Sequence, residues 1–156
     1  MSLEVAVQRA SAQEKLPAEQ AFHRWASASI QAADNYEMTI RIVDEDESAR
    51  LNTDYRDKDG PTNVLAFPGG LAVAEDRKLL GDLVICAPLV TAEARAQGKE
   101  SDAHWAHLVV HGTLHLQGFN HENDADAQVM EAAEVDILAR LGYSNPYEAE
   151  NPAATE

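Results

Sequence analysis

The residues best suited to chemistry lie in one stretch, HGTLHLQGFNH, residues 111–121. His111, His115 and His121 stand at relative positions zero, four and ten, with Gly118 at seven. On a helix of about 3.6 residues per turn, the first two lie one turn apart on one face. Imidazoles so placed can reach one metal ion at roughly 2.0–2.1 Å. The helix must then stop for a third ligand to swing back, and Gly118 can take the left-handed conformation that a Cβ resists. The stretch therefore predicts three nitrogen ligands and one open coordination position. That is the composition of a catalytic zinc site; closed structural sites usually contain cysteine.

The same spacing occurs in the metzincin proteases, whose pattern is H-E-x-x-H-x-x-G-x-x-H. The glutamate after their first histidine is the general base. Here that residue is Gly112, which argues against peptide hydrolysis by their route. A metal can still lower the pKa of bound water to about 7, or polarise a phosphoryl oxygen. Phosphodiester cleavage also asks for a cation near the metal, where negative charge builds up. The stretch LNTDYRDKDGPTNVLAFP, residues 51–68, offers Arg56 and Lys58 just before a rigid DGP turn. The planar fork of arginine can donate two hydrogen bonds to a phosphate. On composition alone, Arg56 reads as a surface ion pair with Asp54, Asp57 or Asp59.

These residues need elements to place them. Trp105, Leu108, Val109, Val110, Leu114 and Leu116 make residues 102–118 apolar almost all round, so this helix is predicted to be buried. Asp102 is its candidate N-cap and Gly118 its C′ residue. Buried imidazoles need partners, and a metal is one. His104 and His107 share the His111 face, and read as a surface residue and a hydrogen-bonded core histidine, or else as supporting or alternative ligands. His23, near Trp25, reads as structural. Upstream, residues 3–8, 38–44, 63–68 and 79–87 read as strands, and 17–33, 47–56 and 88–99 as helices. A last helix over 124–142 would be capped by Asp124, would bury Val129, Met130, Ala133, Ile137 and Leu141, and would end at Gly142. The order βαβαββααα predicts an α+β domain, a mixed four-stranded sheet packed by helices, one of them zincin-like in its metal ligands.

The chain has 156 residues, 45% of them hydrophobic, enough for one domain with a real core. Residues 1–143 read as that domain, and 144–156 as an acidic tail with two prolines and a disordered end. The start of the chain holds no signal peptide and no segment is long enough to span a membrane, which predicts a soluble cytoplasmic protein. Cys86 is the single cysteine and reads as a small buried hydrophobe. The formal charge of −15 argues against a nonspecific nucleic-acid coat protein but not against an enzyme with one basic cleft. The runs DEDE (44–47) and HENDAD (121–126) read as solvated surface.

Together LNTDYRDKDGPTNVLAFP, LGDLVIC and HLVVHGTLHLQGFNHEND resemble the bacterial YbeY endoribonucleases, over roughly residues 38–142. The family pattern is H-G-x-L-H-L-x-G-Y-D-H, with glycine after the first histidine, as here. The resemblance implies one zinc ion, with other divalent metals open in its place, bound by His111, His115 and His121, and a functional arginine at Arg56. It implies cleavage of single-stranded RNA, with roles in 3′-end maturation of small-subunit (16S) ribosomal RNA and in ribosome quality control. The implied partners are an rRNA precursor, the small ribosomal subunit and assembly factors, with neither DNA nor membrane. This chain departs from the pattern where Phe119 and Asn120 replace Tyr-Asp, and where Ala66 replaces a frequent serine. An amide cannot take up a proton at neutral pH, so Asn120 leaves that task to Glu122 or Asp124. Two other readings stay open: a metalloprotease-like hydrolase with its base at one of those two carboxylates, and a non-enzymatic ribosome assembly factor whose metal only holds the fold.

Overall fold

A computed structural model describes residues 2–32, 34–70 and 72–147. The elements in chain order are β1 (Ser2–Arg9), α1 (Glu19–Ala28), β2 (Asn35–Val43), α2 (Glu45–Arg56), β3 (Val64–Pro68), β4 (Ala72–Ala74), β5 (Arg77–Cys86), α3 (Ala87–Gln97), α4 (Ser101–Leu116) and α5 (Asp124–Leu141). This is an α+β fold around one mixed sheet.

The sheet order is β1-β2-β5-β3, with β4 paired to the start of β5. The β1–β2 and β2–β5 pairs are parallel, while β3 and β4 run antiparallel to β5. The short β4 is absent from the sequence reading. Three residues leading into a turn carry too little alternation to be told from a loop.

Side-chain alternation divides the sheet into two faces. Ile40, Ile42, Leu83 and Ile85 join the main core with α1, α4 and α5. Leu65, Val84 and Cys86 point the other way, into a smaller cluster that Leu51 of α2 covers. Cys86 is fully buried, as its apolar setting predicts.

Helix α4 is the centre of the molecule, touching β3, β5, α1, α3 and α5. Trp105, Val109, Val110 and Leu114 are fully buried on it. Phe22 of α1 packs edge-on against Trp25 and Trp105, with ring centroids 5.6 and 5.5 Å apart. Helix α1 stops at Ala28, short of the predicted residue 33, because its end is tied to the end of α4. The Gln117 side chain donates to the Ser29 carbonyl and accepts from the Gln31 N–H, both at 2.7 Å.

Three further expectations are corrected. Helix α4 begins after Glu100, one residue before the predicted cap. Asn123, not Asp124, caps α5, its side chain accepting from the Asp126 N–H at 2.9 Å. On α5, Met130 and Ile137 are buried and Ala133 and Leu141 pack against the core as expected, Glu134 and Leu138 join them, and only Val129, 60% exposed, falls outside. The DEDE run is also more than solvated surface. Asp44 accepts from the Ser11 hydroxyl and from the Ala12 N–H, and Glu47 takes a two-pronged ion pair from Arg41 at 2.6 and 3.0 Å. Of the acidic tail, residues 148–156 lie outside the described residues, while Pro146 is buried and Tyr147 is hydrogen-bonded to α5.

Candidate metal centre and nucleic-acid groove

The three predicted ligands converge. His111 and His115 lie a turn apart near the end of α4, where Gln117 ends the helix and Gly118 takes φ +99°. The chain turns back there and brings His121 alongside. One ligand atom from each histidine lies within 4.8 Å of the others. The rings meet with centroids 4.7, 5.6 and 5.1 Å apart.

The donor set suits a metal in a second respect. Oε2 of Glu134 lies 2.8 Å from Nδ1 of His111. An ionised carboxylate only accepts, so His111 carries its proton on Nδ1 and presents the Nε2 lone pair. Glu134 is fully buried and also receives His107 Nε2 at 2.7 Å and the Tyr147 hydroxyl at 2.6 Å. Burial alone would raise its pKa, but the hydrogen bonds from His107 and His111 outweigh that and hold it at about 2. His115 is held at about 4, first by burial and then by the charges that His111 and His121 would carry beside it. It is therefore neutral, the form that binds a metal, over the physiological range.

Neither His104 nor His107 belongs to the converging triad. His104 is buried on Glu93 at 2.8 Å, not a surface residue, and His107 is the histidine on Glu134. His23 bonds the Leu3 carbonyl at 3.0 Å, a structural role as expected. Glu134 is the residue that sequence reasoning missed. It lies 23 positions beyond His111, about one turn from Met130 and Ile137, so the available signal was an acidic residue set within the apolar face of α5.

Gly112 is there because the sheet comes close. A Cβ at this position would lie 2.7 Å from Cδ2 and 3.1 Å from Cδ1 of the fully buried Leu83. The glutamate of the proteases has no room without moving the core.

Arg56 reaches the same groove from the far side of β3. Helix α2 ends one residue later, at Asp57, with φ 55° and ψ 37°. Aspartate is among the few residues that tolerate this left-handed conformation. Side chains of α2 pin the loop that follows: Asn52 donates to the Gly60 carbonyl at 2.9 Å, Thr53 to Lys58 at 3.1 Å and Ser48 to Thr62 at 2.8 Å. Arg56 is exposed, and its Nη2 donates to the Ala66 carbonyl at 3.4 Å. Arg56 and Lys58 line a groove of about 450 Å³ together with His111, His115, His121, Asn120 and Glu122. Asn120 accepts from the Glu122 N–H at 3.2 Å, so it shapes the turn that carries Glu122. Asp124 begins α5 and is not part of the groove lining.

Known proteins resemble this chain along nearly its whole length. The family model described as Endoribonuclease YbeY matches residues 5–142. A protein named Endoribonuclease YbeY from Methylococcus capsulatus is 51% identical over 150 residues, covering 96% of this chain and 99% of its own. Namesakes from Nitrosococcus oceani and Cellvibrio japonicus are 49% and 48% identical, covering 96% and 92% of this chain and 99% and 83% of theirs. A solution structure from Thermotoga maritima aligns over 94% of this chain and 97% of its own, at 22% identity and a TM-score of 0.49. With the histidine triad intact and half of all residues shared across matched lengths, the chain belongs to the Endoribonuclease YbeY family.

Proposed function

We propose that this protein is a zinc-dependent endoribonuclease that cuts single-stranded RNA. The observation that carries the reading is the shared groove: three imidazoles able to hold a metal line the same groove, of about 450 Å³, as Arg56 and Lys58. The names of the relatives supply the substrate class. His111, His115 and His121 would hold the ion, and nitrogen-only ligands with one position left open favour zinc. Bound there, the ion supplies a Lewis acid for a phosphoryl oxygen.

The chain's own residues do the rest. Arg56 donates to the non-bridging oxygens of the scissile phosphate and offsets the charge that grows on them. Lys58 holds the neighbouring stretch of backbone as a point charge. Glu122 is the carboxylate lining the groove, and it takes up the proton released on attack. Peptide hydrolysis is disfavoured because Gly112 packs on Leu83, where the protease base would stand.

From the resemblance of the three sequence motifs we further propose an rRNA precursor as substrate, 16S 3′-end maturation and ribosome quality control as the process, and the small subunit and assembly factors as partners in the cytoplasm. Among the described residues no helix is long and apolar enough to cross a membrane. Incubation of zinc-loaded protein with a 3′-labelled single-stranded RNA, beside casein, tests the activity. RNA fragments with intact casein are expected; casein cleavage with intact RNA would overturn the assignment. The new ends identify the nucleophile, since a 2′,3′-cyclic phosphate excludes direct attack by water.

A further inference from the structure

Among the described residues, Glu134 is the only acidic side chain in the buried set. Three donors close on it. The Tyr147 hydroxyl and His107 Nε2 both reach Oε1, at 2.6 and 2.7 Å, and His111 Nδ1 reaches Oε2 at 2.8 Å. The Tyr147 ring stands edge-on to His107, centroids 5.6 Å apart and planes at 85°. Two donors on one oxygen fix the plane of the carboxylate, so the other oxygen faces His111 in one orientation. A carboxylate behind a ligating imidazole fixes the ring and makes its far nitrogen a stronger base.

We propose that Glu134, locked by His107 and Tyr147, is the positioning residue that sets metal affinity at His111, and that Tyr147 thereby makes the segment after α5 part of the metal centre. This rests on the metal reading of the histidine triad. Tyr147 lies 36 positions beyond His111 and meets Glu134 of α5 and His107 of α4 through its hydroxyl. The alternative is a network that merely satisfies a buried charge. The two differ in what they predict for a metal-loaded and a metal-free protein.

Competition of purified full-length protein with a chromophoric chelator for Zn²⁺ reads the affinity directly. Visible spectra of the Co²⁺ form report ligand geometry, and thermal unfolding of the metal-free form reports stability. Glu134→Gln keeps the shape but puts an amide N–H on one side of the carboxylate. It is expected to weaken zinc binding by about 10–100-fold and to shift the Co²⁺ bands. Tyr147→Phe removes one donor and is expected to weaken zinc binding by a smaller factor, up to about 10-fold, with metal-free stability close to that of the wild type. Lowered metal-free stability with unchanged zinc affinity in both variants would overturn the proposal and leave a purely structural network. Should Glu134→Gln not fold, Tyr147→Phe decides, because unchanged zinc affinity there removes the segment from the metal centre. Wild-type protein that binds no zinc would instead overturn the metal reading itself.

Discussion

At the residue scale, the site is governed by the protonation of a few crowded groups. His115 has its pKa depressed from the usual 6.5 to about 4, by burial and by two neighbouring imidazoles. The unfolded chain therefore binds a proton more readily than the fold does between those values. Metal-free stability is full above about pH 6.5 and falls as the pH drops towards 4. Glu134 acts in the same direction at lower pH, since its depressed pKa contributes stability above about 4.5 that is lost as pH falls towards 2. Thermal unfolding of metal-free protein between pH 7 and 4 should show a falling midpoint, and His115→Gln should flatten that fall. A midpoint independent of pH in the wild type would contradict the assigned environment of His115. The ligands were legible in the sequence because they are local: a helical pair, a glycine stop and a third histidine three residues on. Glu134 was not, because a buried glutamate on a helix looks like any solvated one until its partners are placed around it.

At the element scale, the fold brings three remote segments to one groove. Helix α4 supplies two ligands and the turn after it supplies the third. Helix α2, packed on the other face of the sheet, sends Arg56 across the edge strand β3 to the Ala66 carbonyl. That geometry depends on β3, β5 and α4 lying unusually close, and Gly81 in the middle of β5 is where they meet. It has φ +146°, and a Cβ there would clash with the Phe67 carbonyl oxygen and lie 2.7 Å from Leu116 Cδ2. Gly81→Ala is expected to lower stability by about 1–3 kcal/mol, the usual range for overpacking. It should also lower RNA cleavage, because β3 and the end of α4 must move apart. Urea unfolding checks the first, and an unchanged midpoint would show that the sheet yields there at no cost. Strand and helix types followed from periodicity, but this close approach did not. A glycine inside a strand signals that something comes near without saying what.

At the scale of the whole molecule, a chain with net charge −15 is proposed to handle a polyanion. The arrangement resolves the conflict by locality. The groove gathers Arg56, Lys58 and the three clustered histidines, while much of the acidic excess among the described residues lies elsewhere, on Asp44–Glu47 and along α5. Long-range attraction is not available to such a molecule, so recognition must rest on short-range contacts in the groove. Family resemblance pointed to those contacts before the fold did; composition alone had assigned Arg56 to an aspartate on its own segment. The central claim is that metal and guanidinium act together, and one comparison tests it. Zinc content and cleavage of single-stranded RNA should be measured on the same preparations of wild type, His115→Ala and Arg56→Ala. One zinc per chain is predicted for wild type and Arg56→Ala, with most of it lost from His115→Ala. Cleavage should fall by about 10²–10³ in Arg56→Ala, the cost typical of removing one transition-state donor, and below detection in His115→Ala. Cleavage at wild-type rate by either variant, or a full zinc complement in His115→Ala, would contradict it.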